Sequence, residues 1–306
     1  MLAKEIIELY EILDRPGEVG HLVRQLYTET GINPTLETVT EGTGSTEFIS
    51  FTIPGIHGKQ SGGNAPTLGV IGRLGAIGAR PARVGFVSDG DGALAALSVG
   101  LRLARMAARG DRFVGDVSVM THLCTQAPID NRSPVAFMGL PVSMHTMTEH
   151  EVDRRADAII SMDTSRGNRI INHNGFAITP TVKEGWILRV SEDLLTLMEQ
   201  VTGTVAAVVP ITMQDITPYE NGLHHFNSLM QPATMTSSPV VGVAFTSQLP
   251  VPGSATGVSS LGVLDAACRF VVEVAQLFTR GSLSFYDKKE YEQMIGMYGD
   301  MKRLQG

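Results

Sequence analysis

From Gly92 onward the hydrophobic positions switch repeatedly between two spacings. In "DVSVMTHLC", "DAIISMD", "AAVVPITM" and "PVVGVAFTS" apolar residues dominate a short run without strict alternation. In 92–109, near "TEHEVDRRA", near "SEDLLTLMEQVTG" and in "SSLGVLDAACRFVVEVAQLF" they return every three or four residues. Short β-branched runs suit strands buried on both faces, and the longer return suits helices laid over them. The alternation predicts an α/β fold in three layers, a mostly parallel sheet flanked by helices.

The upstream pattern differs. "MLAKEIIELYEIL" has the spacing of an amphipathic helix, stops at "DRPGEV", and helical spacing resumes through Val19, Leu22, Val23 and Leu26. Then "PTLETVT", "TEFISFTIPG", "TLGVIGRLGAIG" and "ARVGFVS" read as strands, rich in β-branched residues and punctuated by glycine and proline. No internal repeat, low-complexity tract or linker interrupts the chain. The expected organisation is a single α/β domain over 1–306, with the helices of 1–30 packed on it.

Composition narrows the function classes. With 306 residues and 43% hydrophobic content the chain can fill a substantial core. A formal net charge of −7, without a lysine and arginine cluster, disfavours nucleic acid and anionic membrane as partners. No run approaches the ~18 apolar residues of a membrane span. Two cysteines, Cys124 and Cys268, are too few for a disulfide framework and fit a reducing, cytoplasmic compartment.

Ligands of open α/β sheets bind beyond the carboxyl ends of the strands. There the sequence places Asp89 and Asp91 after "RVGFVS", His122 and Cys124 in "VSVMTHLC", Asp163 in "AIISMD" and Asp215 in "VVPITMQD". Singly, each has a bland reading. Asp91, next to the apolar helix, suits a cap; Asp163 suits a turn; a lone strand histidine is usually hydrogen-bonded filler. Together, carboxylates and an imidazole at one sheet edge are the ingredients of a divalent-metal site. "PYENGLHHFNS", with Glu220, Asn221, His224 and His225, reads as a polar binding loop. His57, His145, His150 and His173 lie in turn-like or surface-like contexts and weigh less.

Nucleotide chemistry is disfavoured. No glycine-rich turn ends in Gly-Lys-Ser/Thr, "GRLGAIG" lacks a strand–turn–helix context and a following acid, and "GVSSLG" is not a nucleophile elbow. No nucleotide cofactor is expected.

The stretches "LGVIGRLGAIGARP", "VGFVSDGDGALAAL", "GDVSVMTHLC", "AIISMDTSRGNRIINHNGFAITPTVKEGWILRVSEDLL", "PITMQDITPYENG" and "VPGSATG" resemble the bacterial domain-of-unknown-function family 1177 over most of the chain. More distantly, the order of elements is similar to that of the co-catalytic zinc aminopeptidases and carboxypeptidases. That resemblance implies a zinc-exopeptidase-like fold, with Asp89 at the position of the metal-bridging aspartate and Asp163 at that of a second metal carboxylate. It also implies a homo-oligomer. The pattern departs at Arg73 and Gly75, where those enzymes carry histidine and aspartate. It departs again at His122, Cys124 and Gln126, which stand where a Glu-Glu pair is expected, and at "VPGSATG", which lacks the final ligand histidine. A two-metal site and its glutamate base therefore do not carry over.

Two functions remain in view. One is a metallohydrolase-like enzyme acting on a small amide, peptide or amino-acid derivative, with one zinc or manganese ion held by Asp89, Asp163 and His122. Asp215 or Glu220 is then the base, Arg73 meets a substrate carboxylate through its planar fork, and Asn221, His224 and His225 complete the substrate loop. The other is a metal-free protein that binds a carboxylated metabolite through Arg73 and the 221–225 loop. A narrower reading makes Cys124 a nucleophile. In all of them Asp91 caps the helix while Asp89 points into the cleft.

Overall fold

A computed structural model describes residues 1–73, 85–127, 129–130, 137–165, 167, 169–211, 228–248 and 259–302. Two amphipathic helices open the chain, α1 (Ala3–Leu13) and α2 (Gly20–Thr28). The hairpin β1 (Thr35–Glu41) and β2 (Gly44–Ile53) follows, turned at Gly42, whose φ of 60° suits a residue without Cβ. Next come β3 (Leu68–Gly72), α3 (Asp91–Ala108), β4 (Val117–Leu123), the two-stranded ribbon β5 (Ile129–Asp130) and β6 (Phe137–Met138), α4 (Met144–Glu151) and β7 (Ala158–Ser165). The chain continues with β8 (Gly175–Ile178), β9 (Val182–Lys183), β10 (Trp186–Ile187), α5 (Glu192–Thr202), β11 (Val240–Thr246), α6 (Leu261–Thr279) and α7 (Lys288–Tyr298).

The main sheet has the order β1-β2-β4-β3-β7-β11-β9-β10, with β8 also paired to β11. Its centre, β4-β3-β7-β11, is parallel, as the unalternating apolar runs predict. The flanks are antiparallel, β1 and β2 on one side and β8, β9 and β10 on the other.

Side chains of the central strands alternate between two apolar layers, as the pleat requires. Val70, Val119, Ile160, Met162 and Val243 pack with Leu94 and Leu97 of α3 and Phe270 and Val271 of α6. Leu9 and Leu13 of α1 and Val23 and Tyr27 of α2 join the same cluster. Ile71, Ile159, Val240 and Ala244 face the opposite way, toward Leu229 and Met230 of the 3-10 segment Ser228–Thr234. Near them α4 covers Phe48 of β2 with Met147. Helix α3 is buried on nearly all sides, which its alanines and glycines permit: at Gly100 a Cβ would come within 2.7 Å of the Phe51 ring.

Several sequence expectations change. "ARVGFVS" is not a strand in its described part, because Ser88–Gly90 is a 3-10 turn leading directly into α3. The described residues of "AAVVPITM" form only an isolated bridge from Val208 to Ile178, since β8 and β9 already pair with β11. The helix near "TEHEVDRRA" ends at Glu151, earlier than its apolar spacing suggested. Helix α6 is not the last element, because α7 follows, capped by Asp287 accepting from Glu290 N. No helix among the described residues is long and apolar enough to cross a membrane.

Candidate active site

Register places three polar residues side by side. Gly72 is paired with Thr121 on β4 and with Met162 on β7, so the next residues along the three parallel strands are Arg73, His122 and Asp163. The alternation that turns Gly72, Thr121 and Met162 toward α3 turns these three onto the other face, at the carboxyl edge of the sheet. All three are fully buried. The edge is fastened by the Arg73 N–H donating to Met162 O at 2.8 Å and by the Thr121 hydroxyl donating to Gly72 O at 2.8 Å.

Helix α4 supplies the partner that links two of them. The Ser143 side chain caps this helix by accepting from Thr146 N at 3.2 Å, and Glu151 at its last turn is wholly buried. One carboxylate oxygen of Glu151 pairs with the Arg73 guanidinium, and the other lies 2.6 Å from His122 Nδ1. A second guanidinium nitrogen of Arg73 lies 2.8 Å from Met144 Sδ on the same helix. The His122 ring rests against Phe48, with centroids 5.8 Å apart, and its buried Nε2 has no hydrogen-bond partner among the described residues. A buried imidazole nitrogen left without a partner is costly in a folded core.

The two aspartates of "SDGDG" lie at the start of α3. Asp89 is buried in the Ser88–Gly90 turn, which is tied to β7 through the Thr164 hydroxyl donating to Ser88 O at 2.6 Å, one residue beyond Asp163. Asp91 is the first residue of the helix and not the residue before it, so the expected cap is corrected: its described partner is the Ser259 hydroxyl, which donates to its carboxylate. Burial above all, together with the neighbouring Asp89, pushes the Asp91 carboxyl up to about 8 against the opposing effect of the Ser259 hydrogen bond.

Other expectations sort as follows. His122 and Asp163 are brought to one edge and one face. Arg73 joins them there, with its buried guanidinium against Glu151 and Met144 of α4. Cys124 is buried, and burial raises its thiol, which is the opposite of an activated nucleophile. Asp215, Glu220, Asn221, His224 and His225 lie outside the described residues. Glu151, the residue that connects the site, was missed in the sequence because it stands in the polar run "MHTMTEHE", which looks like a solvated helix.

Among the described residues no three His, Cys, Asp or Glu side chains converge to hold a metal ion. The orphaned His122 Nε2 is one suitable donor. The described residues alone do not make the divalent-metal site that the sequence suggested.

The sequence profile of the family described as Protein of unknown function (DUF1177) matches residues 37–306. The chain belongs to the DUF1177 family. No curated protein matches this DUF1177 chain. Its fold is shared with solved structures. The glutaminyl cyclase of Porphyromonas gingivalis is 10% identical, covers 92% of this chain and 97% of its own, and has a TM-score of 0.52. The bottromycin maturation enzyme BotP in complex with Mn is 12% identical, covers 91% of this chain and 71% of its own, and has a TM-score of 0.50. At such identities the likeness shows the fold, and the DUF1177 chain has the zinc-exopeptidase-like α/β fold expected from its sequence.

Proposed function

We propose that this DUF1177 protein is an enzyme acting at the carbonyl of a small amide, peptide or amino-acid derivative, as a hydrolase or a cyclase, with His122 as its acid–base group. The observation that carries the reading is the His122 imidazole, buried at the carboxyl edge of the sheet with Nδ1 against Glu151 and Nε2 without a partner among the described residues. At that nitrogen the proton of an attacking water or amine can be taken up. The O–H or N–H bond breaks, the pair left on that oxygen or nitrogen forms the bond to the carbonyl carbon as the C=O π pair moves onto oxygen, and the Glu151 carboxylate stabilises the imidazolium that forms. The same proton can then pass to the leaving amine as the carbonyl re-forms and the C–N bond breaks with its pair going to nitrogen. Asp163 and Asp89, and Asp215 and Glu220 beyond the described residues, are proposed as acids of the same site. The fold shared with a glutaminyl cyclase and with a bottromycin maturation enzyme supports this class of chemistry.

A second reading places a zinc or manganese ion on His122 with Asp89 and Asp163. The open Nε2 and the Mn-bound relative favour it, and the absence of a three-donor cluster among the described residues weighs against it.

The test is a turnover screen of short peptides, amino-acid amides and peptides with N-terminal glutamine. It uses wild-type protein and His122→Gln, with metal content measured on the same preparations and assays repeated with added zinc or manganese. Turnover that falls by about a hundredfold or more in His122→Gln supports the acid–base role. Stoichiometric metal lost in that variant supports the second reading. Turnover that survives the substitution removes His122 from the chemistry, and ligand-induced thermal stabilisation without turnover makes the protein a binder.

A further inference from the structure

Glu151 uses both carboxylate oxygens inside the protein, one on Arg73 and one on His122 Nδ1, and all three side chains are buried. Nothing assigns it a role. From this geometry we propose that Glu151, clamped by Arg73, is the positioning residue of the site and fixes His122 in the tautomer that carries its proton on Nδ1 and presents the Nε2 lone pair. The use of that lone pair in catalysis rests on the function proposed above; the tautomer itself does not.

The derivation needs only donor and acceptor counts. A guanidinium cannot lose its proton inside a protein, so the group paired with it in a buried site is held as an anion. An ionised carboxylate has no hydrogen to give and can only accept. Its contact with His122 Nδ1 is therefore an N–H donated by the ring. In the neutral imidazole the other nitrogen then has no hydrogen, and Nε2, the nitrogen without a partner, carries the lone pair. The ring is also in contact with Phe48, and the guanidinium with Met144. A lone pair aimed from a fixed ring is what a general base or a metal ligand requires, and it follows from a residue that touches neither substrate nor metal.

The experiment is a long-range proton–nitrogen correlation spectrum of the whole protein labelled with nitrogen-15 histidine. The His122 signals, among those of eight histidines, are assigned by their loss in His122→Gln. The expected wild-type result is a protonated Nδ1 and an unprotonated Nε2. A wild-type ring with its proton on Nε2, or on both nitrogens in mildly alkaline buffer, overturns the proposal. Glu151→Gln gives the second reading of the same wiring. Its carbonyl oxygen accepts from Arg73, which leaves the carboxamide N–H facing Nδ1, so the proton should move to Nε2 and the tautomer should reverse. An unchanged tautomer in a folded Glu151→Gln overturns the proposal, and if that variant does not fold the wild-type spectrum decides alone. Where turnover is found, it should fall about a hundredfold in Glu151→Gln, because the nitrogen that must accept a proton already holds one. The two ideas fail separately. The assigned tautomer with turnover indifferent to His122 sinks the function and keeps the wiring, and the reverse pair of results does the opposite.

Discussion

Gly72 at the end of β3 and Gly92 in the first turn of α3 meet backbone to backbone: a Cβ on Gly72 would lie 2.6 Å from Gly92 O, and one on Gly92 would lie 2.4 Å from Arg73 O and 2.6 Å from Met162 O. No real Cβ fits at such distances, and backbone cannot rotate aside as a side chain can. This contact sets how deeply the helix start, with Asp89 and Asp91, sits against the sheet edge that carries Arg73 and Asp163. Gly92→Ala should lift the helix start, cost about 2 kcal/mol or more, and disturb the His122 resonances. Urea unfolding beside wild type checks it, and an equally stable Gly92→Ala would show that the two backbones are not in contact.

Asp91 should make stability depend on pH. Its ordinary value is 3.8, and burial, aided by Asp89 and opposed by the Ser259 hydrogen bond, raises it to about 8 in the folded chain. Below its ordinary value both folded and unfolded chains hold the proton, so the contribution is fully present. Between there and about 8 only the folded chain holds it, and stability is lost as pH rises, levelling off above that point. The gap corresponds to an upper bound of about 6 kcal/mol. Asp91→Asn should flatten this part of the curve, because its carboxamide still accepts from Ser259 without titrating. Denaturant midpoints measured from acid to alkaline pH decide it, and an unchanged slope in Asp91→Asn would show that another group is responsible.

How far the sequence could go is visible in the site itself. His122 and Asp163 were legible because each stands at the end of an apolar run, where strand periodicity fixes both the edge and the face. The parallel centre was legible for the same reason. Glu151 was not. Acid, histidine and threonine alternate around it with no apolar rhythm, and it is buried only because Arg73 and His122, 78 and 29 residues away, are brought to it by tertiary structure. Arg73 shows the complementary limit: a lone arginine at a sheet edge suggests an anionic substrate, and the sequence does not show that the Glu151 carboxylate of the chain itself lies against it. The strands β8 to β10 are short and interrupted by proline and glycine, which hid them among turn signals.

Tyr27 ties α2 to the interior of α3. It is fully buried, and its hydroxyl donates to Leu97 O while its ring tilts against Phe51 at a centroid distance of 4.3 Å. Tyr27→Phe keeps the ring and removes the donor, so it should cost about 1 to 2 kcal/mol, the worth of one buried hydrogen bond and the acceptor it leaves behind. Thermal unfolding checks this, and a neutral result would mean that the Leu97 carbonyl finds another donor.

The Arg73–Glu151 pair should behave as one unit. Both charges are out of water, so removing Arg73 takes from Glu151 the cation paired with it, and Arg73→Met should destabilise by about 3 to 5 kcal/mol although methionine fills much of the same space. Replacing Glu151 with glutamine in that background removes the stranded charge, so the double variant should be more stable than Arg73→Met alone, and the two effects should fall short of their sum by about 1 to 3 kcal/mol. Denaturant unfolding of the four proteins in the cycle measures the difference directly. Simple additivity would mean that the two charges do not share the buried contact, and both the wiring of His122 and the explanation for Arg73 facing inward would then have to be abandoned.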